Sequence, residues 1–336
     1  MKIVLVGTGS IGGAVAVQLK DAGYDIDVVA HGKEKADKIV KEGFKITGAL
    51  GDKQKKINAF GSVGELEGKY DICFIATKFQ QLNEVAEKML PYLKEDSLVV
   101  SLQNGNCMDM LADVVGENRT VGCMIGFGAT NKGNNTVEVT SGGELYIGMR
   151  NEYHPESLER LKHVMDNALP TYITDDIEAK LYSKIIINSC INSIAGITGK
   201  TLGNIVEDRT ACKVFVAIIR EAMDAAKKLD IKVPTYGAMM NYYLMAARFG
   251  PVYDRIIEIL IKVVAQKKYA LVKPSTLQSL EKGQITEIDI MNGYLCETGR
   301  KAGVRTPVND KLTLMIKEIE RGERKISPDN LKEVLQ

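Results

Sequence analysis

The chain has 336 residues, more than one compact domain usually holds, so two domains are expected. Hydrophobic residues make up 45% and charged residues 26%, the mix of a globular protein with a filled interior and not of a disordered chain. A formal net charge of +1 with no long basic stripe argues against nucleic acid or an anionic membrane as a standing partner.

The histidines, His31, His154 and His163, have no metal-ligand spacing, so a zinc site is not expected. The six cysteines are far apart, with no CxxC pair, which fits reduced thiols in a cytoplasm. The opening MKIVLVGTGS lacks the apolar core and cleavage site of a signal peptide. Apolar runs are broken by charge before about 18 residues, so no membrane span is expected.

In chain order, KIVLVG (2–7) is a short strand ending in glycine, followed by a helix from Ser10 to about Ala22 that stops at Gly23. DIDVVA (25–30) predicts the second strand and the run from Lys33 the second helix. FKITGALGDKQKKINAF has strand signals on either side of Gly51-Asp52, a hairpin inserted in the alternation. YDICFIATK (70–78) and DSLVVSLQNG (96–105) are two more strands, separated by helical FQQLNEVAEKMLPYLKE.

Strands alternating with helices predict a doubly wound parallel sheet. From Thr120 to about Met149, glycine-rich turns between alternating segments predict an antiparallel extension of it, and a helix (155–168) and a strand near Tyr172 finish this half. Beyond Asp175 the signals are helical, at 177–197, 209–229, 235–271, 276–282, 285–302 and 309–320. The expected division is residues 1–174 for a Rossmann-type α/β domain and 175–336 for an all-α domain, with disorder only in the last few residues.

GTGSIGG sets Gly7, Gly9 and Gly12, with Thr8, Ser10 and Ile11 between them, at the turn from first strand to first helix. There the backbone can approach a pyrophosphate and the helix N-terminus favours its charge. A merely structural glycine turn is the plain alternative. The second strand ends at His31-Gly32-Lys33 with no acid at its tip, Asp27 lying within the strand. His31 and Lys33 facing a 2′-phosphate would favour NADP over NAD, although both are also ordinary residues to open a helix.

Two further tips belong to the edge where open α/β sheets bind ligands: Ala76-Thr77-Lys78 followed by Gln81, and Gln103-Asn104-Gly105. Lys78 is a candidate for cofactor phosphate or an anionic substrate, and Asn104 for the nicotinamide end.

The segment LYSKIIINSCIN (181–192) places Lys184, Asn188 and Asn192 four apart in a run otherwise built for burial. Four-residue steps keep them on one side of a helix, where polar groups need partners. Facing a cleft, they would meet a polar ligand. PSTLQSLEKGQITEID (274–289) adds Ser275, most simply a helix cap, and Glu287, most simply an exposed helix charge, with Gly283 breaking the helix between them.

These motifs together, GTGSIG, ATK with Gln81, QNG, KIIINSCIN, and STLQ followed by TEID and Asn292-Gly293, occur in the order of one family. The chain resembles ketopantoate reductase (2-dehydropantoate 2-reductase) over nearly its whole length. The resemblance implies a Rossmann domain carrying NADP(H), a helical domain, and reduction of the 2-oxo acid ketopantoate to D-pantoate on the route to coenzyme A. It implies Lys184 as general acid, Asn188 and Asn192 as substrate-holding amides and Ser275 as a carboxylate contact. Glu287 would stand at the junction of cofactor and substrate, with Lys78 and Asn104 near nicotinamide and substrate.

Three features depart from the family pattern: Ser193 where a proline is common, His31 where an arginine often reads the 2′-phosphate, and a long Met- and Tyr-rich stretch over 236–269. The apolar part, 236–265, suggests a homodimer surface in the helical domain. Two alternatives follow, a related reductase of another 2-oxo acid and a non-catalytic NADP-binding sensor.

Overall fold

The alternation of KIVLV is resolved by burial on two faces: in β1 (Lys2–Val6), Ile3 and Leu5 join one apolar cluster while Val4 and Val6 join another. The structure, a computed structural model, describes residues 1–150, 155–237, 240–269 and 273–336. His154 lies outside the described residues, as do 238–239 and 270–271 of the helix expected over 235–271. The chain divides into two compact units, Met1–Glu178 and Ala179–Gln336.

In the first unit β1 leads to α1 (Ser10–Asp21), β2 (Asp25–Val29), α2 (Lys33–Glu42), β3 (Phe44–Gly48), β4 (Lys53–Lys55), β5 (Asn58–Phe60) and β6 (Tyr70–Ile75). Then come α3 (Leu82–Met89), β7 (Leu93–Ser101), α4 (Met108–Val115), β8 (Thr120–Ile125), β9 (Gly128–Gly133), β10 (Thr136–Ser141), β11 (Leu145–Gly148), α5 (Pro155–Met165) and β12 (Thr171–Ile173). The main sheet has the order β12-β11-β8-β7-β6-β1-β2-β5. From β8 to β5 all neighbours are parallel, as doubly wound topology requires, and β11 runs antiparallel to β8. The strand order reverses between β1 and β6, the switch point where such sheets open a crevice.

The expected hairpin forms between β3 and β4, but it does not extend the main sheet. It joins β9 and β10 in a separate four-stranded sheet, β4-β3-β10-β9, against which α1 packs. The antiparallel extension is therefore β11 alone, while the β9 and β10 pair leaves for the second sheet. Covered by both sheets, α1 is buried on all sides from Gly12 to Leu19. A second adjustment is at β7, which starts at Leu93 instead of 96, because a 3-10 turn over Leu90–Tyr92 ends the preceding helix and Leu93 pairs with Tyr70.

The second unit is built on α6 (Ile177–Thr198), which begins at the end of the first, and on α7 (Leu202–Glu207), α8 (Arg209–Lys228) and α9 (Tyr242–Ala246). They are followed by α10 (Pro251–Tyr269), α11 (Ser275–Glu281), α12 (Asn292–Ala302), α13 (Pro307–Glu320) and α14 (Asn330–Val334). One apolar cluster runs through this unit, with α6 supplying Ile185, Ile186, Cys190, Ile194 and Ile197. Two caps, one local and one from another helix, tie its ends. Asp208 accepts from the N–H groups of Thr210 and Ala211 at the start of α8, and Glu221 on α8 accepts from Val308 and Asn309 N–H at the start of α13.

Two helix expectations and the expected loose tail change. The stretch 235–271 is not one helix: Gly250 takes a left-handed φ of +104° and Pro251 opens a new helix, leaving α9 short. The expected 285–302 helix begins only at Asn292, after a 3-10 turn over Ile288–Ile290. The tail is not loose, since α14 buries Leu331 and Val334 and Asn330 donates to the Ile197 carbonyl at 2.8 Å. Among the described residues no helix is long and apolar enough to cross a membrane.

Candidate active site

Parallel register puts four chemistry-bearing strand ends on one edge of the main sheet. Val6 pairs with Val29 and Ile75, and Ile75 with Ser101, so Gly7, Ala30, Ala76 and Leu102 begin four adjacent exits. The glycine loop leaves β1, His31 and Lys33 follow β2, Thr77 and Lys78 follow β6, and Gln103 and Asn104 follow β7. Gln103 ties two of these tips, donating through Nε2 to the Thr77 carbonyl at 2.9 Å.

The glycines of the loop serve different needs. Gly7 has φ +106° and a Cβ there would lie 2.6 Å from the Ala76 backbone; a Cβ on Gly12 would lie 2.1 Å from the Gly7 carbonyl oxygen. Both are demanded by the protein's own packing. Gly9 is not: its backbone is extended (φ −79°, ψ −162°), and a Cβ would meet no heavy atom nearer than the Ala76 oxygen at 4.0 Å. No side chain caps α1 and no acid stands in its first turn. Among the described residues, buried Thr8 Oγ1 has no hydrogen-bond partner. An open cradle at an uncapped helix N-terminus fits the pyrophosphate of a dinucleotide.

Asp27 is within β2, accepting from Tyr70 Oη at 2.7 Å and Asn58 Nδ2 at 2.8 Å, so its carboxylate is occupied inside the sheet. His31 and Lys33 are both exposed. The cation that reaches the loop is one the sequence reading passed over: Lys35, in the first turn of α2, donates to the Thr8 carbonyl at 2.8 Å. Burial pushes its ammonium below the usual lysine value. The available signal was its position, a lysine one turn into the helix that follows the second strand.

In the second unit, Lys184 and Asn188 are half-buried on a helix whose neighbours Ile185, Ile186, Ile187, Ser189 and Cys190 are buried, so the stripe is the accessible line of α6. The helix is anchored beside it, with Ser183 Oγ donating to the Pro234 carbonyl at 2.9 Å and Tyr242 Oη to the Ser183 carbonyl at 2.7 Å. The Asn188 amide has no hydrogen-bond partner among the described residues. Asn192 is differently placed. Buried, it donates to the Asn188 carbonyl at 3.1 Å, and its Oδ1 accepts from Ser275 Oγ at 3.0 Å and Thr276 N–H at 3.3 Å.

Ser275 is thus not the cap of α11 but its first residue, following Pro274, and the cap is Asn192 from another helix. Gly283 breaks the chain with φ +61°, and Glu287 is half-buried in the turn before α12 instead of on an exposed helix face. Ser193 is buried and donates to the Ser189 carbonyl at 2.5 Å, a helix-internal bond that the missing proline ring would have precluded.

The pattern of ketopantoate reductase PanE/ApbA matches residues 3–152, and that of the ketopantoate reductase PanE/ApbA C terminal matches residues 176–320. The 2-dehydropantoate 2-reductase of Aquifex aeolicus is 27% identical over 321 residues, covering 94% of this chain and 96% of its own. That of Pyrococcus horikoshii is also 27% identical, with coverage of 94% and 97%. The same fold occurs in a ternary structure of D-mandelate dehydrogenase with NADH and anilino(oxo)acetate (TM-score 0.82, 21% identity, 96% of this chain and 99% of that one). It occurs too in a PanE/ApbA family ketopantoate reductase from Ralstonia eutropha JMP134 (TM-score 0.81, 23% identity, coverage 97% and 100%). Matched in both its parts, the chain belongs to the ketopantoate reductase PanE/ApbA family, oxidoreductases acting on a CH–OH group.

Proposed function

We propose that this protein reduces ketopantoate to D-pantoate with NADPH, in the pathway to pantothenate and coenzyme A. The observation that carries the reading is the accessible line of Lys184 and Asn188 on an otherwise buried α6, with Asn192 bonded to Ser275, in a chain of this family. The open cradle at Gly9 supports a dinucleotide.

NADPH, when bound at the sheet edge, supplies a hydride to the 2-oxo carbon. The chain's residues do the rest. As negative charge grows on the carbonyl oxygen, Lys184 Nζ gives it a proton, and the neutral amine recovers one from solvent. The Asn188 amide holds the substrate's hydroxyl or carboxylate without titrating. Ser275 Oγ gives its one proton to the carboxylate by turning it away from Asn192 Oδ1, which keeps the Thr276 N–H. Glu287 stands at the junction of cofactor and substrate; Thr77, Lys78, Gln81 and Asn104, with the loop residues Thr8, Ser10 and Ile11, hold the cofactor. The six cysteines are buried and form no disulfide among the described residues, which suits a reducing cytoplasm.

We further propose that the protein works as a homodimer through α10. One side of that helix packs inward by Ile257 and Ile261, while Val252, Ile256, Ile259, Leu260 and Val263, with Phe249 before them, stay exposed at 43% or more. A standard interface takes about 800 Å² from each partner, and exposed Tyr243 and Leu244 on α9 add apolar surface to that of α10. Lone exposed apolar residues are ordinary, but a contiguous stripe of this size marks a contact. A second copy is the occupant because a twofold axis sets this apolar stripe against itself, while the acids of the helix are already paired within the chain, Asp254 to Arg220 and buried Glu258 to Arg209 and Arg255.

The test of function is steady-state oxidation of NADPH, and separately NADH, with ketopantoate and a panel of other 2-oxo acids. Strong selectivity for ketopantoate with NADPH supports the reading. Turnover only with another oxo acid keeps the chemistry and replaces the substrate; cofactor binding without turnover on any of them brings forward the sensor.

A further inference from the structure

We propose that Lys35 selects NADPH over NADH by holding the 2′-phosphate of the adenosine ribose against the glycine loop. The inference rests on the dinucleotide reading above and names the residue that sets its cofactor preference.

Among the described residues the Lys35 ammonium has one acceptor, the Thr8 carbonyl, and no carboxylate. It is half-buried. A partly desolvated cation beside a neutral oxygen is under-compensated, and an anion arriving there recovers the cost. An ammonium has three donors, so Lys35 can keep Thr8 and still offer two to a phosphate.

Position decides which phosphate. The pyrophosphate belongs on the loop and the α1 N-terminus, whereas ribose hydroxyls of the adenosine half are read at the tip of the second strand. Lys35 bridges these two places, rooted in the helix after β2 and touching the loop at Thr8. No acid stands at that tip to accept a free 2′-hydroxyl or repel a phosphate: Asp27 is engaged by Tyr70 and Asn58. Glu34, the next acid, is exposed on the first turn of α2. Gly32, with φ +88°, turns the chain so that α2 starts beside the edge. His31 and Lys33 are exposed and in contact with solvent, where an ammonium or imidazole discriminates weakly.

The experiment is calorimetric titration of the whole protein with ADP-ribose and with its 2′-phosphorylated form, for the wild type, Lys35→Gln and Lys35→Arg. The wild type is expected to prefer the phosphorylated ligand. Lys35→Gln is expected to lose about ten- to a hundredfold in affinity for it, as for a charge-assisted bond, while ADP-ribose binding stays within about threefold. Lys35→Arg keeps most of the preference and serves as the folded control. Equal weakening for both ligands would make Lys35 a staple of the loop and overturn the proposal, as would no change for either or a wild type without preference. Neither ligand can be turned over, so this result is separate from whether ketopantoate is the substrate.

Discussion

Asn192 and Ser275 are joined at 3.0 Å, from Ser275 Oγ to Asn192 Oδ1, and the same oxygen accepts the N–H of Thr276 at 3.3 Å. One amide on α6 therefore caps α11 and aims the serine. Asn192→Ala should cost about 1–2 kcal/mol of stability, the range for a lost helix cap, together with a raised KM for the oxo acid. Ser275→Ala, which leaves the Thr276 bond, should raise KM with a smaller loss. Thermal melts of both variants measure this. An Asn192→Ala protein as stable as the wild type would mean that the amide works on substrate alone.

Lys184→Ala should lower kcat by about 10²–10⁴-fold, the usual contribution of a positioned acid, with NADPH affinity nearly unchanged. Turnover and fluorescence titration of NADPH on the same preparation separate the two. Turnover equal to the wild type would remove Lys184 from the mechanism.

Gly9→Ala and Gly12→Ala should behave oppositely. The first adds a Cβ with nothing nearer than 4.0 Å, so stability of the unliganded protein should move by less than about 0.5 kcal/mol while NADPH binding falls more than about tenfold. The second drives a Cβ to 2.1 Å from the Gly7 carbonyl and should lower the melting temperature before any ligand is added. Normal cofactor affinity in Gly9→Ala would move the pyrophosphate elsewhere.

Asp21 ends α1 and bonds Lys53 at 2.7 Å and Lys55 at 2.6 Å, joining the helix to β4. The hydrogen bond from Lys53 first, then that from Lys55, holds its carboxyl down at about 2, against an ordinary 3.8. A folded value below the unfolded one means that the folded state binds fewer protons. The contribution is therefore present above pH 3.8 and is lost as pH falls towards 2. Carboxyl NMR should find Asp21 titrating near the lower value, and Asp21→Asn should flatten that part of the acid-unfolding curve. A titration at the ordinary value would show the pairs open in solution.

If α10 is the dimer face, the wild type should sediment as a dimer and the double variant Val252→Glu, Ile256→Glu as a folded monomer. Both side chains are more than half exposed in the single chain, so the substitutions disturb no core. A monomeric wild type would refute the interface.

The sheet edge was readable because its parts are local. A strand that ends in glycine and a helix that starts at once are neighbours in sequence, and the parallel exits at Thr77 and Asn104 follow from alternation alone. The contact of Lys35 with the loop was not readable, since its partner Thr8 is 27 residues earlier and lysines in helices are commonplace. Nor was the capping role of Asn192, whose bond spans 83 residues. The long 235–271 segment misled for the opposite reason: its apolar period continues through Gly250 and Pro251, and backbone geometry, not periodicity, interrupts it.

By itself the sequence determined the alternating α/β half, the helical half, the glycine-loop position and the spacing that aligns Lys184, Asn188 and Asn192, because each depends on residues within a few turns of one another. Tertiary structure decided that β9 and β10 leave the main sheet to cover α1, that Asn192 serves α11, and that Lys35, not His31 or Lys33, touches the loop. Those outcomes are set by which distant surfaces bury each other, and no local period carries that information.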